Sequence, residues 1–191
     1  MLLRILAGTL LSEERRKPSI WQFLVSTTAV VVILIYGMIT INTGDPRWFQ
    51  KGFSEQPVAI TIYCRGKPVE VPPDSQEFQE ITALFNEAIS GPKRWDSLSL
   101  SDATYNDYHT HPRMVVLELR YAAPVRIHSN VKYFSNVEYL IMPLEGRHAE
   151  TNAVFGRNQG YPIAGSFHVE SRQPLVDYVR THELCDVSMD K

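Results

Sequence analysis

Two cysteines in 191 residues are too few for a disulfide-dense scaffold or a four-thiolate zinc site. Neither sign of charge predominates, since 19 Lys and Arg face 21 Asp and Glu for a net charge of −2. Nucleic-acid-binding domains normally carry a basic excess, so no nucleic-acid partner is expected. The phosphate-cradling patterns Gly-x-x-x-x-Gly-Lys-Ser/Thr and Gly-x-Gly-x-x-Gly are missing, and so is the Gly-x-Ser-x-Gly elbow of many hydrolases. No cofactor is expected on these grounds. The chain also lacks an Asn-x-Ser/Thr acceptor, an internal repeat and any low-complexity tract.

What it does have is one long stretch without charge, between Pro18 and Asp45. Its apolar heart runs from Ile20 to Ile41. As a helix this is a rod of about 33 Å, against a hydrocarbon core of about 30 Å. A helix satisfies its own backbone hydrogen bonds, which a lone segment in lipid must do. Trp21 and Tyr36 stand where interfacial anchors often stand. The run is too long for the apolar region of a signal peptide, and no Ala-x-Ala-like site follows it. The sequence thus predicts a transmembrane helix over 19–41, an uncleaved signal-anchor and a single pass, with the lipid bilayer as first partner.

Flanking charge sets the expected orientation. Arg4, Arg15, Arg16 and Lys17 precede the span, whereas only Arg47 and Lys51 lie close behind it. By the positive-inside rule, residues 1–18 form a cytoplasmic tail and the remainder lies outside. Residues 1–11, apolar with a single Arg, are short enough to lie in the inner interface as an amphipathic helix. Residues 42–56 read as a linker and 57–191 as an extracytoplasmic domain in the cell envelope.

Within that domain, Val58, Ile60, Ile62 and Cys64 alternate as a strand. Arg65-Gly66-Lys67 reads as a tight turn and Pro68–Val71 as the returning strand. A helix follows, with capping-box spacing at Asp74 and Glu77 and a stripe of Phe78, Ile81, Leu84, Phe85, Ala88 and Ile89. Gly91 and Pro92 end it. Residues 93–112 show no periodicity, and a connection of that length tends to be functional or to hide a short element. Strands resume over 114–121 and 125–128, with a break at Ala122-Ala123-Pro124. Further strands are expected at 137–144, 152–155 and 166–170, with Gly156–Gly160 as a turn. Ser171 caps a last helix through Pro174 and Val179. Strands that do not alternate with helices predict an α+β domain, with a mostly antiparallel sheet and two helices on one face.

Candidate chemistry is sparse. On a strand Asp107, His109 and His111 would share one face, as metal ligands must, with His128, His148 or His168 completing the set. The alternative is a polar loop with solvated histidines. Gly146, Gly156, Gly160 and Gly165 near Arg147 and Arg157 can be read as anion-binding turns, or simply as hairpin glycines. Tyr133, Phe134 and Tyr139 near Arg126 and Lys132 read as an aromatic binding surface or as sheet core, with core the default. Cys64 falls on an apolar face, where a thiol packs rather than reacts. With Cys185 it forms a candidate disulfide closing a loop of roughly 120 residues, against the default of two free thiols. The expected function is a membrane-tethered, non-catalytic binding or accessory domain for another envelope or membrane protein. The competing expectation is a metal-dependent hydrolase built on Asp107, His109 and His111.

Overall fold

The computed structural model describes residues 19–185, so the expected tail over 1–18, with its interfacial helix, and the terminal residues 186–191 lie outside the described residues. The uncharged run is helical from Ile20–Thr43 (α1). Ser19 caps it, accepting from the Trp21 amide, and Gln22 completes the capping box from the other side. Gly44, with a left-handed backbone, closes the far end. Most of its apolar side chains are exposed, and its length and composition are those of a helix able to cross a membrane.

Beyond α1 lie the strands β1 (Ala59–Cys64) and β2 (Lys67–Val71), then α2 (Gln76–Ser90), β3 (Lys93–Asp96) and α3 (Asp102–Thr110). The long strands β4 (Val115–Val125) and β5 (Val137–Glu145) follow, then β6 (Ala153–Asn158), β7 (Tyr161–Pro162), β8 (Ser166–Val169) and α4 (Gln173–Thr181). All pairings are antiparallel, in the order β2-β1-β4-β5-β6-β8-β3, with β7 beside β6. The expected α+β class and antiparallel sheet are therefore present, but with three helices in the domain rather than two.

One face of the sheet carries the main core. Ile60, Ile62, Leu117, Leu119, Leu140 and Met142 project from it by strand alternation. The α2 stripe of Phe78, Ile81, Phe85 and Ile89 and the α4 residues Leu175, Val176 and Val179 cover them. Ser75, not Asp74, caps α2 by accepting from the Phe78 amide. Gly91 closes that helix, as expected, with extended backbone. A disulfide joins Cys64 at the end of β1 to Cys185 beyond α4, with the α-carbons 5.3 Å apart.

The opposite face carries a smaller core of Leu100, Tyr108, Met114, Val116, Ile141 and Phe155 under α3. The sequence pattern does not predict that helix. Its sequence, Asp-Ala-Thr-Tyr-Asn-Asp-Tyr-His-Thr, is weak in helix formers, and only Tyr108 on it is fully buried. Ser101 starts it by accepting from the Thr104 amide. Its far end rests on the β1–β2 turn, where Gly66 has φ +86° and a Cβ would stand 2.6 Å from the Thr110 carbonyl oxygen. Only glycine permits both that turn and that approach.

Two more expectations change. The Ala122-Ala123-Pro124 break does not end β4; the strand continues to Val125 with a register irregularity there, where proline is tolerated. The segment read as a linker is tied down: Asp45 and Phe53 are buried, and the Phe53 amide donates to Ser90.

Candidate functional site

The face under α3 is only partly covered, because a nine-residue helix is shorter than the sheet is wide. On β4, Val116, Glu118 and Arg120 alternate onto this face, and cross-strand register sets Glu118 beside Thr61 of β1 and Ile141 of β5. Glu118 is buried, although its strand position reads as solvent-facing. It is buried because α3 lays Tyr105 and His109, one helical turn apart, over it.

The contacts form a tight group. The Tyr105 hydroxyl donates to Glu118 Oε2 at 3.0 Å, and His109 Nε2 lies 3.2 Å from the same oxygen. The His109 ring stacks on Tyr63 at 3.8 Å with 14° between planes, and meets Tyr105 edge-on at 4.1 Å. On the far side of Tyr105 the Arg157 guanidinium sits 4.0 Å from the ring centroid, a cation–π contact. Arg157 Nη2 donates to Asp102 at 2.9 Å and to the Gly160 carbonyl, while Nη1 is buried without a partner. Burial, then the Glu118 carboxylate, push the Tyr105 phenol up, and the hydrogen bond to Glu118 adds to it. Tyr63 is pushed up to about 12 by burial first, then by Glu118, Tyr139 and Glu70. Both phenols are neutral donors across the physiological range.

Beside this group lies a recess of about 470 Å³ lined by Tyr105, Glu118, Glu138, Tyr139, Arg157 and Gln159. No known protein family, curated protein or solved structure matches the chain. The reading of the recess therefore rests on its residues. It offers carboxylates, a guanidinium and two aromatic rings within one shallow concavity, a mixture that suits recognition of a polar surface. Its ionisable groups are already engaged: Glu118 by two donors, Arg157 by Asp102, and Glu138 by the Gln159 amide at 3.0 Å.

The residues singled out from sequence are dispersed. Asp107 and His109 lie on α3 and His111 is its C-cap, so the strand parity that grouped them does not hold. Successive i and i+2 positions on a helix point about 200° apart. His109 faces Glu118, whereas His111 Nδ1 accepts from the Arg113 amide at 3.1 Å. His128 pairs with Asp45 at 2.8 Å, His148 with the Tyr108 hydroxyl at 2.5 Å, and His168 with the Thr151 carbonyl at 2.7 Å. Among the described residues no three His, Cys, Asp or Glu side chains are placed to hold a metal.

The glycine–arginine set also separates. Arg147 is exposed, Arg157 is buried against Asp102, and Gly156 belongs to β6 rather than to a turn. A Cβ at Gly156 would meet the Phe134 ring at 2.8 Å, so that glycine serves packing. Of the aromatic trio, Phe134 is core, Tyr133 is 44% exposed, and only Tyr139 reaches the recess. Sequence reasoning missed Tyr63, Tyr105 and Glu118, and placed Arg157 in an anion-binding turn rather than against Tyr105 and Asp102. Glu118 gave no local signal, because it alternates with apolar residues and shares its polar face with the exposed Arg120.

Proposed function

We propose that this chain is a single-pass, membrane-anchored protein whose α+β domain, residues 57–191, is a non-catalytic binding or accessory module held outside the cytoplasm. Its partner is another membrane or envelope protein. The observation that carries the reading is the half-covered sheet face, where the Glu118–Tyr105–Arg157 recess sits beside the exposed Arg120. Interface cores favour tyrosine and arginine, and both are present. Anchoring is supported by α1, whose apolar side chains are exposed along most of its length. The charge bias across the span supports an N-terminus in the cytoplasm. The Cys64–Cys185 bridge supports an oxidising compartment for the domain.

A photo-crosslinking residue placed at Arg120 or Tyr139 of the full chain in native membranes tests this reading. A discrete protein adduct is expected from both positions, and none from Glu87 on the exposed side of α2. Equal adducts from both sides of the domain, or none from the recess, would refute a docking face there. A reporter fused after Lys191 tests the orientation: activity confined to the exterior-dependent reporter is expected, and the reverse pattern overturns it.

A further inference from the structure

The end of α1 and the domain together build a second concavity. After Thr43 the chain turns back along the helix, and the Tyr36 hydroxyl donates to the Pro46 carbonyl at 2.9 Å. Trp48 and Phe49 then pack on Tyr36, with ring centroids 6.5 and 6.4 Å away. Tyr36 lies seven residues before the helix end, or roughly 10 Å back along its axis. A hydrocarbon core of about 30 Å counted from Ile20 ends roughly twenty residues on, near Ile39. Trp48 and Phe49 therefore stand beside the helix at the depth where hydrocarbon gives way to headgroups.

Against Trp48 and Phe49 opens a groove of about 390 Å³, walled on its other sides by Lys51, Lys93, Trp95 and His128. No carboxylate lines it. Lys51 is exposed. The Lys93 ammonium gives two of its three donors to the carbonyls of Ile89 and Gly91, which leaves one. Burial, and then the nearby Lys51 charge, pull Lys93 below the usual lysine range. The Trp48 indole N–H is buried without a partner. Two neighbouring cations in one groove with no carboxylate in its lining call for an anion. The exposed aromatic edge at Phe49 calls for an apolar neighbour.

We infer that this groove binds the phosphate headgroup of an anionic phospholipid in the leaflet into which α1 emerges. Lys51 and Lys93 face the phosphate, and the Trp48 and Phe49 rings lie along the first acyl carbons. Trp rings are at home at that depth, and basic side chains next to a span are drawn to anionic lipid. The inference rests on α1 spanning a bilayer.

The test uses the full chain in neutral detergent, titrated with short-chain phosphatidylglycerol and followed by native mass spectrometry. Saturable binding of one lipid is expected, tighter than for short-chain phosphatidylcholine. Lys51→Gln should weaken it about fivefold, and Lys51→Gln with Lys93→Gln roughly thirtyfold. Lys93 also caps α2, so the exposed Lys51 variant is the decisive one, with unchanged circular dichroism as the folding control. Equal affinity for both lipids, no effect of Lys51→Gln, or equally tight binding of inorganic phosphate would each overturn the lipid site. Resistance to alkaline carbonate extraction is read in parallel. Retention with a failed titration overturns the groove alone, whereas extraction overturns the spanning helix and the lipid-facing placement with it.

Discussion

Removing the Cys64–Cys185 bridge is the sharpest perturbation available. The bridge spans 121 residues of sequence, from the end of β1 to just beyond α4. In the chain-entropy treatment, closing a loop of that length restricts the unfolded chain by about 5 kcal/mol at 25 °C. The native state retains most of its contacts without it, because α4 is held by Leu175, Val176 and Val179 in the main core. The double variant Cys64→Ala/Cys185→Ala should therefore fold, and lose between about 3 and 5 kcal/mol. For a domain of this size that is a fall in Tm of roughly 10–20 °C. Guanidinium unfolding of the full chain in neutral detergent, followed by tryptophan emission, measures it. Wild-type protein with and without reductant supplies the control free of the small cavity at position 64. A shift under about 1 kcal/mol in both comparisons would refute the loop-closure reasoning. A large loss in the variant with none on reduction would assign the effect to packing at Cys64 instead.

Other outcomes follow from the recess and the core. Glu118→Ala orphans the Tyr105 hydroxyl and His109 Nε2 and should cost about 2–4 kcal/mol, while Glu118→Gln keeps an acceptor and should cost about half that, by the same unfolding assay. Phe85→Ala, at a site with no solvent exposure, should cost about 3–5 kcal/mol. His148 is held below the usual histidine range by burial first, then by Arg147 and His168. Its stabilising neutral form is fully present above the unfolded value of about 6.5 and is lost as pH falls below it. Unfolding midpoints measured from pH 7.5 down to 5 should fall less steeply in His148→Gln than in wild type. Ser75→Ala should cost about 1 kcal/mol through the lost cap of α2.

Uncharged length carried the reading of α1, and periodicity that of α2 and the β1–β2 hairpin, because the last two bury one clean stripe or one alternate set of residues. Periodicity failed where burial is not periodic. Helix α3 contributes one fully buried residue, Tyr108, and is held by its Ser101 cap and by its seat on Gly66. Nothing in its composition distinguishes it from a loop. Because the helix was invisible, so was its effect on β4, where Glu118 takes a solvent-facing parity and is nevertheless covered. Gly156 reads as a turn residue because glycine punctuates chains, but here the Phe134 ring excludes any side chain. The recess needs α3, β4 and β6 brought together, and no local window of sequence contains all three.

The junction after α1 has a mechanical meaning. Asp45 is 4% exposed and pairs with His128, Arg126 Nη1 reaches the Gly44 carbonyl at 3.4 Å, and Tyr36 holds Pro46. The helix thus meets the domain as a shaft keyed to its load, with no free swivel between them. A residue inserted near the middle of α1 would advance the shaft by about 1.5 Å but turn it by about 100°. The domain would turn with it, and with α1 spanning a bilayer as proposed, the recess would look toward a different azimuth in the membrane plane. On the proposed function, a partner docking at the recess would be selected by the rotational phase of a helix it need not touch.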